Sequence, residues 1–120
     1  MKLSMKKLTQ IKPSLQKLLS QDIPVKTSFK LTKWIKTLNP EYESFEESRK
    51  KLFEKYGTKN IEGNLEIKPE KAVIFNKEFK ELLKIEVDVK LDKIKLEDLG
   101  EKIEISPLDL SNLVEILIKE

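Results

Sequence analysis

Apolar residues recur along the chain at spacings that change from helical to extended and back. Spacings of three and four residues predict a first helix that Thr9 caps and that ends near Gln21, after a short edge strand within residues 2–8. A second and much longer series of helical spacings follows Pro24, which suits a first helical turn. This series ends at Gly57, which we expect in the C′ position that closes the helix.

The long series places apolar and aromatic side chains on one stripe, the aromatic stripe. Its regular members are Leu31, Ile35, Leu38, Tyr42, Phe45, Arg49, Leu52 and Tyr56, with Trp34 and Phe53 beside them. Asn39-Pro40 interrupts the series, so either a new helix begins there or one long helix is kinked at Pro40. Because the stripe keeps its phase across the proline, we favour a kinked or nearly collinear pair of roughly 50 Å at 1.5 Å per residue. That length suggests a projecting arm or an oligomer.

The second half of the chain mixes loop, helix and strand patterns. A loop over residues 57–69 contains a possible short strand at residues 65–67, and Pro69 opens a helix. Alternating apolar residues then predict a small antiparallel meander over residues 85–105, with a one-residue slip inside it. Ser106 caps a last helix that begins at Pro107. The apolar stripe of this helix consists of Leu110, Leu113, Val114 and Leu117.

These patterns predict an α+β fold in a single domain over residues 1–120. It contains about four helices, of which one is long and is kinked or split at Asn39-Pro40. A small antiparallel sheet comes from the C-terminal half.

The composition removes the commonest catalytic chemistries. The chain has no His and no Cys, which excludes Ser-His-Asp and Cys-His triads, disulfides and zinc held by thiolates. Its three glycines are isolated, so the clustered glycines of a phosphate loop are missing. The Asp residues show no spacing typical of a calcium loop. We therefore predict a non-enzymatic protein with no catalytic residues, no metal and no cofactor.

Charge is distributed unevenly along the chain. Residues 1–38 contain nine Lys against Asp22 alone, whereas residues 57–120 contain eleven Lys and fifteen acidic residues. The basic N-terminal third either faces an anionic partner or docks on the acidic half of its own fold or of a second copy. Arg49 is the only Arg. Because guanidinium is the better group for reading phosphates and bases, this composition disfavours nucleic acid as a partner.

One face of the second helix collects lysines around an aromatic ring. On a helix that begins at Pro24, three lysines fall within about 60° of one another at 100° per residue. They are Lys26, Lys30 and Lys33, and they are flanked by Lys36 and Phe29. Lysines beside one ring are typical of sites for an anionic nucleotide ligand or a single strand. The alternative is a solvated lysine face with Phe29 packed under the first helix.

The aromatic stripe is the candidate for a protein interface. If its own chain does not cover it, its large side chains would bind another protein or a second copy. The residues predicted to contact the partner are Trp34, Tyr42, Phe45, Phe53 and Tyr56.

The chain also resembles small phage and prophage proteins of low-GC bacteria, a family of unknown function. The resemblance spans roughly residues 8–118 and rests on these stretches: Ile23-Pro24-Val25-Lys26, Lys51-Leu52-Phe53-Glu54-Lys55-Tyr56-Gly57, Glu62-Gly63-Asn64-Leu65, Phe75-Asn76-Lys77-Glu78-Phe79-Lys80-Glu81-Leu82-Leu83, Glu86-Val87-Asp88-Val89 and Ser106-Pro107-Leu108-Asp109-Leu110. It implies a viral origin and supplies neither an activity nor site residues.

We therefore expect a phage-encoded interaction protein, an accessory, assembly or defence-inhibiting factor that binds another protein or itself. The alternative function is a sponge that binds a small anionic nucleotide or nucleic acid through the lysine face. No apolar run approaches the ~18 residues of a membrane span, and the first residues lack the apolar segment of a signal peptide. We accordingly expect the protein in the cytoplasm of the host cell.

Overall fold

The computed structural model of the protein describes residues 1–114 and 118–119. Within them the chain forms four α-helices and six short strands, so the predicted α+β class is confirmed. The helices are α1 (Met5–Leu19), α2 (Val25–Tyr56), α3 (Pro69–Leu83) and α4 (Pro107–Val114). The strands are β1 (Lys2–Ser4), β2 (Gly57–Lys59), β3 (Leu65–Ile67), β4 (Glu86–Asp88), β5 (Ile94–Lys95) and β6 (Ile118–Lys119), and a 3-10 turn spans Leu96–Leu99.

The first helix begins earlier than its sequence pattern predicts. Ser4 is its cap, because the Ser4 hydroxyl accepts a hydrogen bond from the backbone N–H of Lys7 at 3.1 Å. Thr9, the predicted cap, lies inside the helix and donates its hydroxyl to the Lys6 carbonyl at 2.8 Å. The predicted edge strand is consequently limited to the three residues of β1.

The second helix is continuous, which decides between the two alternatives at Asn39-Pro40. Its 32 residues include Pro40, whose position on the exposed face keeps the ring away from the core. At 1.5 Å per residue the helix is about 48 Å long, close to the 51 Å longest dimension of the molecule. Gly57 ends the helix as predicted, with an extended backbone of φ −82° and ψ 149°. Glycine suits this position because a Cβ would collide with the Phe53 carbonyl oxygen.

The strands form three separate two-stranded sheets and not one meander. β4 pairs antiparallel with β1, placing Leu3 opposite Val87. β2 and β3 form an antiparallel hairpin, and β5 pairs in parallel with β6. The predicted meander over residues 85–105 is therefore wrong, although its first part is extended as expected. After β4, the Val89 N–H still donates to the Met1 carbonyl at 2.9 Å, but residues 89–93 belong to no strand, and Val89 and Leu91 are buried against the core.

One hydrophobic cluster joins the helices to the strand segments. It is centred on α1 and the first half of α2, and it extends to the segment 89–99 and to α4. Its fully buried members are Leu8, Ile11, Leu18, Leu31, Trp34, Leu38, Ile94, Leu99, Leu113 and Ile118. Ile103 and Ile105, predicted as strand residues, pack on the cluster without forming a strand. Leu117, predicted on the stripe of the last helix, lies outside the described residues.

Candidate anion-binding cleft

A cleft of about 820 Å³ opens along the first three turns of α2. The four residues predicted to bind an anionic ligand, Lys26, Phe29, Lys30 and Lys33, all line it. The remaining lining residues are Val25, Trp34, Lys36, Thr37, Lys90 and Asp92. The structure therefore brings the predicted lysine face to one concave surface.

Two buried side chains of α2 hold the helix against the segment 89–99. Thr27 and Trp34 are 5% and 2% exposed, and each donates a side-chain hydrogen bond to the backbone of the segment 89–99. The Thr27 hydroxyl binds the Asp98 carbonyl at 2.6 Å, and the Trp34 indole N–H binds the Asp92 carbonyl at 2.7 Å. These bonds attach the second wall of the cleft to the helix that forms the first.

Lys90 and Asp92 belong to that second wall, and sequence reasoning missed both. The chain is extended there, so Val89 and Leu91 enter the core while Lys90 and Asp92 remain exposed. The alternation of apolar residues from 85 to 91 was the available signal, because it assigns these two side chains to the outer face. The alternation does not show which helix these two side chains face. Their position beside α2 depends on the hydrogen bond from Trp34 to the Asp92 carbonyl.

The lysines of the cleft are not held in ion pairs by the described residues. Among the described residues, none of the five cleft lysines (26, 30, 33, 36 and 90) has a carboxylate oxygen within 4.0 Å. Lys17 behaves differently, since its Nζ lies 3.1 Å from Asp109 in the C-terminal half. Within the basic N-terminal third, Lys17 therefore docks on the chain's own acidic half, whereas the four cleft lysines of α2 form no such ion pair among the described residues.

The N-terminus of α2 adds to the positive electrostatic potential of the cleft. The first turn of α2 contains no acidic side chain, and its cap residue Pro24 makes no side-chain hydrogen bond to the helix. A helix N-terminus carries roughly half a positive elementary charge. Lysines in the first turns are therefore placed where an anion, and not a cation, is favoured.

Phe29 supplies an exposed aromatic ring inside the cleft. Its side chain is 63% exposed, so the alternative in which it packs under the first helix is wrong. The Nζ of Lys33 lies 4.9 Å from the centroid of the ring. An exposed ring bordered by cations offers a flat stacking surface next to charge.

Most aromatic members of the stripe lie in the chain's own core and not on its surface. Trp34, Tyr42, Phe45 and Tyr56 are between 2% and 9% exposed. The Tyr42 hydroxyl donates to the Leu8 carbonyl of α1 at 2.8 Å, and burial raises the pKa of Tyr42 to about 12.

The end of the stripe packs against α3. The Phe45 ring lies 6.2 Å from that of Phe79, and the half-buried Phe53 ring lies 5.0 Å from that of Phe75. The predicted partner surface at Trp34, Tyr42, Phe45, Phe53 and Tyr56 is accordingly corrected. The first three belong to the chain's own hydrophobic cluster, Phe53 packs on α3, and Tyr56 is buried.

A second polar cluster ties α4 to α1. The Asp109 carboxylate accepts hydrogen bonds from Ser14 and Ser106 at 2.8 Å and from Lys17 at 3.1 Å. The hydrogen bond from Ser14, followed by those from Ser106 and Lys17, holds the pKa of Asp109 below its usual value. Because these donors occupy the carboxylate, we assign this cluster to stability and not to acid–base chemistry.

In the described ranges, no group of three or more acidic side chains is arranged to hold a metal ion. No helix of residues 1–114 is both long and apolar enough to cross a membrane. Comparison with protein-family models, curated proteins and solved structures found no match to this chain.

Proposed function

We propose that the protein is a non-enzymatic binding protein that holds a phosphate-bearing anion in the α2 cleft. The observation that carries this proposal is the convergence of five unpaired lysines on one cleft that also exposes Phe29. In this proposal the ligand is retained and not converted, since the chain has no His or Cys, the commonest general base and the strongest thiol nucleophile.

Several lysines acting together are needed for useful affinity. Opposite unit charges 4 Å apart attract with roughly 1 kcal/mol in water and up to about 4 kcal/mol near a protein surface. One lysine therefore gives little, whereas a phosphate group reached by two or three lysines gains several times as much. Lys26, Lys30 and Lys33 lie on one helix face, so they can approach the same group.

Trp34 provides a direct assay of this proposal. It is the only Trp of the chain and lines the cleft, so its fluorescence reports on occupancy. We expect inorganic tripolyphosphate at low salt to change the Trp34 emission saturably. The double variant Lys30→Gln/Lys33→Gln is expected to weaken binding at least tenfold, since it removes two of the five cations.

The matched control is Lys71→Gln/Lys77→Gln, two exposed lysines of α3 outside the cleft. It changes the net charge of the protein equally and should leave binding nearly unchanged. Equal losses in both double variants would reduce the effect to net charge and contradict a site. Absence of any tripolyphosphate binding to the wild type at low salt would contradict the proposal altogether.

A protein partner is the second candidate function, and the distal arm favours it. This arm comprises the C-terminal half of α2, the β2–β3 hairpin and α3. No residue of α3 is fully buried, and Val73 and Ile74 are 80% and 47% exposed. Light scattering tests self-association: a dimer that Val73→Glu converts to a monomer supports this candidate, and a strict monomer rules out self-association. The viral origin stays a prediction of the resemblance.

A further inference from the structure

We propose that the ligand of the cleft is a single strand of nucleic acid, with its phosphates along the lysine row of α2 and a base stacked on Phe29. This inference rests on the proposed function, since it names the chemical class of the anion. It depends on three features of the described residues: the length of the lysine row, the openness of the cleft and the exposure of the ring.

The lysine row is longer than one phosphate group. From Lys26 to Lys36 the helix rises by about 15 Å at 1.5 Å per residue. A stacked strand carries one phosphate per 3.4 Å or so, so the row faces the phosphates of about four nucleotides. A mononucleotide would leave part of the row unpaired, whereas a strand can neutralise all of it.

The cleft is open to solvent along the helix. Here Val25 is 82% exposed and Phe29 is 63% exposed, so solvent reaches the lining side chains along the helix. An open groove of this kind fits a chain that enters at one end and leaves at the other.

Phe29 selects for bases over other anions. Stacking on an aromatic ring is available to every base and needs no reading of base edges. The presence of only one Arg is therefore no argument against a single strand. Guanidinium serves the bidentate reading of guanine, whereas lysines can follow a phosphate backbone. An acidic protein segment would instead anchor a side chain in an apolar pocket, whereas Phe29 projects outward from the helix.

The experiment compares three anionic probes on the intact protein. They are a fluorescein-labelled dodecathymidylate, inorganic polyphosphate of similar charge and a poly-glutamate peptide. We expect the oligonucleotide to bind most tightly, with an affinity whose logarithm falls with the logarithm of salt at a slope of about −3 if four lysines contact phosphates. Lys30→Gln should reduce this slope by about 0.7, and the control Lys71→Gln should not change it.

The decisive variant is Phe29→Ala, which changes an exposed side chain. Loss of one stacked base is expected to weaken oligonucleotide binding by roughly 5- to 150-fold and to leave polyphosphate binding unchanged. Val25→Ala is the control, because it removes an exposed apolar side chain of the same cleft that cannot stack.

Four other outcomes would overturn the inference or the proposed function. Equal binding of polyphosphate and oligonucleotide, with no effect of Phe29→Ala, would overturn this inference and leave the anion-binding function intact. Tighter binding of poly-glutamate would replace it with an acidic protein partner. Tighter binding of the same sequence as a duplex would also overturn it, because stacking needs an unpaired base. Absence of binding by all probes at low salt would overturn the proposed function itself.

Discussion

Tyr42→Phe tests whether Tyr42 is a core residue or a partner contact. The substitution removes only the hydroxyl, which donates to the Leu8 carbonyl of α1 at 2.8 Å. A hydrogen bond of this kind contributes a net of about 1 kcal/mol to stability. We therefore expect the free energy of unfolding at pH 7 to fall by about 1 kcal/mol, or roughly 4 °C in Tm for a chain of this size.

The same substitution has an opposite effect at high pH. The pKa of the Tyr42 hydroxyl is raised by burial from 10.0 to about 12 in the folded protein. Between these values the unfolded chain releases the proton while the folded chain keeps it, so the wild type loses stability as pH rises. One pKa unit corresponds to 1.36 kcal/mol, so the loss approaches at most about 3 kcal/mol near pH 12. Tyr42→Phe has no such proton and escapes this loss.

Urea unfolding of both proteins at pH 7, 9, 10, 10.5 and 11 measures the difference. The two proteins differ only at residue 42, so the difference between them isolates the contribution of the Tyr42 hydroxyl. We expect the advantage of the wild type to be constant up to pH 9, to shrink above pH 10 and to reverse sign near pH 11. A variant as stable as the wild type at pH 7, together with a difference that does not change with pH, would refute the assignment of Tyr42 to the core.

Three further substitutions test other parts of the fold. Asp109→Asn should lower the urea midpoint at pH 7. The folded pKa of Asp109 is depressed, chiefly by the hydrogen bond from Ser14, so the carboxylate stabilises the fold above pH 3.8 and loses this effect as pH falls through the lowered pKa. The difference in midpoint between the variant and the wild type should therefore disappear in acid. Leu31→Ala, at 1% exposure, should cost about 2–5 kcal/mol in urea unfolding, whereas the matched Leu108→Ala, at 73% exposure, should stay within about 0.5 kcal/mol. Gly57→Ala should lower Tm measurably in a thermal scan, because the new methyl group meets a carbonyl oxygen of the last turn of α2.

The helices could be predicted from the sequence because their signals are local. Pro69 and Ser106-Pro107 mark helix starts through the backbone of the residues beside them, and both positions are confirmed. The phase of the apolar stripe across Pro40 likewise indicated one long helix. The cap of α1 was placed wrongly because Ser4 and Thr9 carry equally good capping groups, and only the hydrogen bond to Lys7 distinguishes them.

Strand pairing and burial could not be predicted, because both depend on residues far apart in the chain. Alternation shows that residues near Val87 are extended but not that Leu3 is their neighbour. The aromatic stripe shows that one face of α2 avoids water but not whether the covering surface belongs to the same chain. The lysine face was predictable from helical spacing, whereas its opposite wall at Lys90 and Asp92 exists only in the folded chain.

In the proposed site, the shape of the cleft and its charge come from different side chains of α2. Thr27 and Trp34 fix the buried face through hydrogen bonds to the backbone of the segment 89–99, so the geometry of the cleft does not depend on the lysines. Successive lysines of the row rise by roughly 4.5–6 Å, which is less than the Debye length of about 8 Å at physiological ionic strength. Their mutual repulsion therefore persists at this ionic strength, and in the proposed complex a polyanion that prefers the folded state would relieve it. Binding of the strand should consequently stabilise the protein in proportion to the logarithm of ligand concentration over Kd, which ties the proposed function to the stability of the helix that carries it.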